Sequence, residues 1–164
     1  MNITGLLLVS ILFPFLAAVL VPLTRRLGAD EGRTALFAAG LTFVLCFLTA
    51  LYARAGFTGD IFVAMPLGLS AHFAGDGVSA FMACAASFLS FIIMYYSQGY
   101  IKDSGHKAEY YAACMVFLGA MTGLVYSVNL AWIFVFWEIT AICSWRLVGY
   151  FRAKADVAKA NKTF

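Results

Sequence analysis

Four long stretches without a charged residue restrict the folds open to this chain. They are Met1–Thr24, Thr34–Ala53, Gly77–Ile101 and Tyr110–Trp137. Each is long enough to supply the roughly 20 apolar residues with which a helix crosses a bilayer. The 164 residues are 63% hydrophobic and 12% charged, whereas soluble domains average about 45–50% apolar and about 25% charged residues. We therefore predict an all-α integral membrane protein.

The last apolar region must contain two helices. Residues 110–151 would form a helix of roughly 63 Å at 1.5 Å per residue, about twice the thickness of the hydrocarbon layer. The only local turn signal is Ser127-Val128-Asn129, which predicts a tight connection there. Residues 1–151 then form one membrane domain, followed by a basic cytoplasmic-surface segment at 152–164. The five predicted helices span about 3–24, 34–54, 77–101, 110–127 and 130–151. The first run is too long for a signal peptide and no basic residue precedes it, so we treat it as a permanent helix.

The distribution of cations predicts how the chain is threaded. Of the eleven Lys and Arg residues, ten lie in the connections after helices one and three and at the end of helix five. Arg54 alone lies on the other side. Because cationic residues near span ends stay cytoplasmic, we expect the N-terminus outside and the C-terminus inside, in the inner (plasma) membrane of a cell.

The connection at residues 54–76 has a strand-like pattern. Apolar residues alternate with small or polar ones from Ile61 to Phe73, a period of two that predicts a short extracytoplasmic strand or hairpin. Asp76 precedes helix three. Its carboxylate suits an N-cap, and a place in an ion path is the alternative role.

The positions of the cysteines do not indicate a cofactor or metal site. The cysteines fall one each in helices two to five, without metal-ligand spacing or nearby histidines, so we interpret them as small packing residues. They are Cys46, Cys84, Cys114 and Cys143. We expect no haem, iron–sulfur or zinc site and no other cofactor on this chain. No glycine-rich phosphate loop, nucleophile–base pair or basic nucleic-acid surface is present either.

Glu138 is the residue that most demands an explanation. It lies about 4 Å from the centre of predicted helix five, where an ionised group facing lipid costs from about 2.5 to more than 10 kcal/mol. Arg146 is eight residues further on, about 12 Å along the axis, and we expect its long side chain to reach the headgroups instead. The carboxyl is either held neutral by desolvation, as a hydrogen-bonding acid between helices, or paired with a cation from another polypeptide. We favour a switchable proton or cation site.

Several motifs resemble the N-terminal part of the antiporter-like membrane subunits. These subunits occur in respiratory complex I, in Mrp-type sodium/proton antiporters and in membrane-bound energy-converting hydrogenases. The matching segments are Asp76-Gly-Val-Ser-Ala-Phe-Met, Tyr95-Tyr-Ser with Gly99-Tyr, Phe136-Trp137-Glu138 and Cys143-Ser144-Trp145-Arg146-Leu-Val-Gly-Tyr150. Lys154 to Phe164 is similar to the segment that precedes the family's helix six.

The resemblance implies that Glu138 is the helix-five glutamate of a half-channel, paired with a lysine on a later helix. Asp76, Arg146, Trp137 and Ser144 are further candidates for an ion path or an interface. The family's later lysines and its second repeat lie beyond residue 164. We therefore expect a split or truncated subunit, completed by a membrane partner that supplies helix six onward.

The resemblance leaves three functions open. The first is a non-redox membrane subunit of a complex I-like or hydrogenase-type assembly, in which iron–sulfur partners would carry the electrons. The second is a subunit of an Mrp-type antiporter or a related ion-driven uptake system without redox chemistry. The third is a structural or assembly role. The expected surroundings in every case are the lipid bilayer and other membrane subunits, and nucleic acid is not expected as a partner.

Overall fold

The structure is a computed structural model that describes residues 3–26, 28–54, 59–63, 71–101 and 106–150. This part of the chain contains five helices, each long and apolar enough to cross a membrane. They are α1 (Ile3–Arg26), α2 (Glu31–Arg54), α3 (Gly77–Tyr100), α4 (Lys107–Tyr126) and α5 (Leu130–Val148). The predicted five-span membrane fold is confirmed. The predicted basic segment at 152–164 lies outside the described residues.

A two-stranded antiparallel hairpin lies between α2 and α3. Its strands are β1 (Gly59–Val63) and β2 (Ala71–Gly75), with Ile61 opposite Phe73. The expected strand structure is therefore present, although residues 64–70, where part of the alternation falls, lie outside the described residues. The N–H of Val128 donates to the carbonyl of His72 at 3.0 Å, and Phe73 forms a bridge with Ser127. The hairpin is thus attached to the α4–α5 connection. Its extracytoplasmic location stays a prediction.

Helices α1 to α4 form a bundle, and α5 packs chiefly on α4. Small residues line much of the bundle interior, including Ala17, Ala35 and Ala39, and they permit the close helix approach by which membrane helices associate. Because the chain alternates direction, the hairpin, the start of α3 and the α4–α5 connection share one end of the bundle. The α1–α2 connection, the start of α4 and the last turn of α5 lie at the other end. Which end faces the cytoplasm stays a prediction.

Two glycines one turn apart on α4 receive aromatic rings from both sides. A Cβ at Gly119 would lie 2.9 Å from the ring of Phe15, on α1, and one at Gly123 would lie 2.5 Å from the ring of Phe136, on α5. The two glycines therefore form a close-approach surface on α4. It receives aromatic rings rather than neighbouring backbone.

Caps define where helices begin at the hairpin end. The Asp76 side chain accepts a hydrogen bond from the N–H of Ser79 at 2.7 Å, and the Ser79 hydroxyl oxygen accepts one from the N–H of Asp76 at 2.9 Å. This reciprocal capping box pairs two backbone donors that helix geometry leaves free. The capping interpretation of Asp76 is therefore confirmed.

Candidate proton or cation site on helix α5

Helix α5 begins at a defined residue because Asn129 caps it. The Asn129 side-chain oxygen accepts a hydrogen bond from the N–H of Ala131 at 2.9 Å, and its carbonyl accepts one from the N–H of Ile133 at 3.1 Å. Asn is among the preferred N-cap residues for this reason. Since Val128 is also bonded to the hairpin, the start of α5 is held to the rest of the fold on both sides.

One face of α5 packs against the bundle, and Phe136 is its principal anchor. Phe136 and Cys143 are only 7% and 6% exposed. The Phe136 ring lies over Gly123, and its centroid is 6.5 Å from that of Phe15 and 6.2 Å from that of Phe73. These contacts fix both the rotation of α5 and its distance from α4.

Glu138 lies on the other face of α5, at mid-depth. The helix runs from Leu130 to Val148, so its midpoint is Ile139 and Glu138 is about 1.5 Å from the centre along the axis. Glu138 follows Phe136 by two residues, which corresponds to a rotation of about 200° around the helix axis. The side chains of Phe136 and Glu138 therefore project in nearly opposite directions. Glu138 is accordingly exposed. No other part of the described chain covers it.

The face that carries Glu138 is otherwise strongly apolar. Its exposed apolar members include Phe134, Val135, Trp137, Ile142 and Trp145. We call this surface the uncovered face of α5. Among the described residues, no side chain forms an ion pair or hydrogen bond with the Glu138 carboxyl. An acid on an apolar surface at this depth requires a protein or water environment from outside these five helices, or protonation.

Arg146 does not pair with Glu138 in the described part of the chain, and its expected reach to the headgroups stays a prediction. It forms an ion pair with Glu109, in the first turn of α4, where the two side chains are 38% and 36% exposed. The pair joins the start of α4 to the end of α5. Sequence reasoning missed Glu109 as a partner because it precedes Arg146 by 37 residues. Only the antiparallel α4–α5 arrangement, itself predicted from the turn at 127–129, could have pointed to it.

The remaining candidate residues occupy different parts of the fold. Trp137 is 61% exposed beside Glu138, and its carbonyl accepts the hydroxyl of Thr140 at 2.7 Å. Ser144 is partly buried, on the border of the uncovered face. Trp137 therefore lies next to Glu138 and Ser144 lies at the border of the same face of α5, whereas Asp76 lies elsewhere. Their roles in an ion path or an interface stay predictions.

Asp76 lies at the hairpin end of the bundle, about 12 Å in depth from Glu138, because α5 begins at that end eight residues before Glu138. The backbone N–H of Ser79, followed by its hydroxyl, holds the pKa of the Asp76 carboxyl below its usual value. The carboxylate is thus committed to the helix terminus. A role for Asp76 in an ion path stays a prediction.

The five helices of the described chain, with Glu138 at mid-depth on α5, indicate a multi-pass membrane protein. A family model described as "NADH-Ubiquinone oxidoreductase (complex I), chain 5 N-terminus" matches residues 62–111. The match covers the hairpin from Phe62, all of α3 and the start of α4. It ends before α5, and so before Glu138.

Curated proteins of three kinds are similar to about half of this chain. "F(420)H(2) dehydrogenase subunit L" of Methanosarcina mazei is 37% identical over 87 residues, which are 53% of this chain and 13% of that protein. "NAD(P)H-quinone oxidoreductase chain 5" of Picosynechococcus sp. is 32% identical over 90 residues, 54% of this chain and 14% of that one. "Na(+)/H(+) antiporter subunit A1" of Staphylococcus haemolyticus is 33% identical over 89 residues, which are 54% of this chain and 11% of that protein. The chain therefore matches only a small part of each relative's length.

A solved structure extends the likeness to most of the fold. The Mrp complex from Dietzia sp. contains a chain that superposes with a TM-score of 0.68 and 27% identity, covering 87% of this chain and 16% of that one. The resemblance to antiporter-like membrane subunits of complex I-like and Mrp assemblies is therefore confirmed.

Proposed function

We propose that this chain is a non-redox membrane subunit of a proton- or cation-translocating assembly, in which Glu138 forms half of a translocation site. The observation that carries the proposal is the position of this carboxyl, at the centre of α5 and on the face that the described chain leaves uncovered. An acid in that position is expensive in lipid and useful in an ion path. The relatives named as dehydrogenase and quinone oxidoreductase subunits favour a redox-driven assembly.

The proposed mechanism is a change in proton affinity controlled by a neighbouring charge. With a cation close by, the Glu138 carboxyl is stabilised in its ionised form. When that cation moves away, desolvation favours the protonated form. The two groups then titrate as a coupled pair, so movement of the cation is converted into uptake or release of a proton. The cation belongs to a helix outside α1 to α5, in the same or another polypeptide.

The rest of the described chain holds Glu138 in place. Phe136 sets the distance of α5 from α4, Asn129 fixes its first turn, and the Glu109–Arg146 pair fixes its last turn. A site that must exchange protons with one partner group benefits from such rigid support, because displacing a reacting group by about 1 Å can lower the rate of transfer greatly. These residues position Glu138 and do not themselves carry protons.

The test is the variant Glu138→Gln, which keeps the size of the side chain and removes its proton. We expect it to abolish or greatly reduce proton or sodium movement by the assembled complex in sealed vesicles. Glu31→Gln is the matched control, because Glu31 lies in the first turn of α2, at the end of the bundle opposite the hairpin and away from mid-depth. We expect this variant to transport normally. Full transport by Glu138→Gln in a normally assembled complex would remove Glu138 from the mechanism. If Glu138→Leu also retained full transport, a purely structural role would be supported instead.

A second candidate is ion exchange without redox chemistry. It is favoured by the 33% identity to a sodium/proton antiporter subunit and by the superposition on a chain of an Mrp complex. Purification of the native assembly separates the two candidates. Iron–sulfur subunits in the assembly would support redox coupling. Their absence, together with transport driven by an imposed pH or sodium gradient alone, would support an antiporter.

A further inference from the structure

A cluster of buried polar side chains lies inside the bundle, separate from the α5 surface. Its members are Ser10 on α1, Thr49 on α2 and Tyr126 on α4, each 0% exposed. Ser87 on α3, also 0% exposed, lies next to Cys46 of the same core. Ser10, Thr49 and Tyr126 lie toward the hairpin end of their helices, and Ser87 lies near the middle of α3. Apolar residues surround the cluster, including Leu7, Ile11 and Ile61 of the same core.

The hydroxyl groups of Ser10, Thr49 and Ser87 have already used their protons. Ser10 donates to the carbonyl of Leu7 at 2.8 Å, Thr49 to that of Leu45 at 2.9 Å, and Ser87 to that of Cys84 at 2.9 Å. Each hydroxyl oxygen also has two lone pairs. The oxygens of Ser10 and Thr49 can therefore accept a further hydrogen bond but cannot donate one without breaking an existing bond.

The Tyr126 hydroxyl, in contrast, has a proton that no acceptor in the described part of the chain receives. Among the described side chains, this hydroxyl is fully buried and has no hydrogen-bond partner. Ser10 and Thr49 are its near polar neighbours, yet neither oxygen meets the geometry of a hydrogen bond with the Tyr126 hydroxyl. Buried hydroxyls are normally paired with protein or with ordered water, so this donor and the neighbouring acceptors together describe a site for a small polar molecule.

We propose that one ordered water molecule occupies this position and links α1, α2 and α4. Its oxygen accepts the Tyr126 hydroxyl proton, and its two hydrogens are donated to the oxygens of Ser10 and Thr49. The three bonds pair the Tyr126 hydroxyl with the free lone pairs of Ser10 and Thr49 through one water, and they match the two to four partners typical of buried water. The site is independent of Glu138, which lies on the opposite side of α4, at the outer face of α5.

The most direct test is a map of the native assembly at about 2 Å resolution or better. We expect a density peak within roughly 3.2 Å of the Tyr126, Ser10 and Thr49 oxygens. The peak should disappear in Tyr126→Phe, which removes the hydroxyl that donates to the water. It should persist in Tyr111→Phe, the matched control, since Tyr111 is a second buried tyrosine at the other end of α4. A direct hydrogen bond from Tyr126 to protein, with no peak, would overturn the proposal.

A mutant cycle gives an independent readout in the same purified assembly. Thr49→Val removes one acceptor with little change in shape. If the water links the two groups, the thermal shifts of Tyr126→Phe and Thr49→Val will not be additive in the double variant. Additive shifts would contradict the proposed link. The result does not depend on transport, so failure of this proposal is distinguishable from failure of the function proposed for Glu138.

Discussion

Gly123 is expected to control how closely α5 approaches the bundle, and Gly123→Ala tests this. The added Cβ would lie 2.5 Å from Cε1 and 2.6 Å from Cζ of Phe136. Ordinary contact between carbon atoms is about 3.5–4.0 Å, so either the ring or the whole of α5 must move by about 1 Å. The ring has little freedom, because it is 7% exposed and contacts Phe15, Phe73 and Trp132.

The expected cost follows from two opposing effects. Overpacking in a closely packed interior costs about 1–3 kcal/mol, while replacing a helical glycine by alanine recovers up to about 1 kcal/mol. A net loss of about 1–2 kcal/mol should lower the melting temperature by about 2–8 °C for a chain of this size. Because Glu138 follows Phe136 by two residues, transport should fall as well.

Thermal unfolding of the purified protein in lipid nanodiscs measures the effect. Gly99→Ala is the matched control, because a Cβ there meets nothing within 4 Å, and it should leave the melting temperature unchanged or slightly raised. Adding Phe136→Leu to Gly123→Ala should restore part of the lost stability by removing the obstructing ring. An unchanged or raised melting temperature for Gly123→Ala, or no rescue by the second change, would refute the packing argument.

Two further changes test the ends of the helices. Asp76→Ala should lower stability by about 1 kcal/mol through loss of the capping box, measured by the same unfolding assay. The pKa of Asp76 is lower in the folded protein than in the unfolded chain. Its contribution to stability is therefore complete above the unfolded-state pKa of about 4 and is lost as the pH falls through the folded-state pKa. The difference between wild type and Asp76→Asn should therefore disappear in acid, and a pH-independent difference would contradict this. Glu109→Gln should cost at most about 1 kcal/mol of folding free energy, since the pair with Arg146 is partly exposed and exposed ion pairs contribute little. A much larger loss would mean that the pair is desolvated in the membrane.

The spans and their connections could be predicted because their signals are local. Uncharged runs of sufficient length define spanning helices, and Ser127-Val128-Asn129 marks the only turn available inside the last run. Asp76, followed three residues later by Ser79, similarly places a cap at the start of α3. Each of these predictions depends on neighbouring residues only.

The packed and uncovered faces of α5 could not be predicted, because apolar residues surround the helix on every side. Membrane helices lack the polar face that identifies the exposed side of a soluble helix. Phe136 becomes the anchor only because Gly123 of another helix lies beneath it. The Glu109–Arg146 pair and the polar cluster around Tyr126 have the same origin, since their members are distant in sequence and meet only after the helices pack.

The most direct test of the central claim is an experimental structure of this chain in its native membrane assembly, determined well enough to identify every group within about 4 Å of the Glu138 carboxyl. We expect the uncovered face of α5 to be occupied by a helix outside α1 to α5, with a lysine or arginine, or a water chain leading to one, next to that carboxyl. Lipid acyl chains against Glu138, or an entirely apolar protein surface without water, would contradict the account.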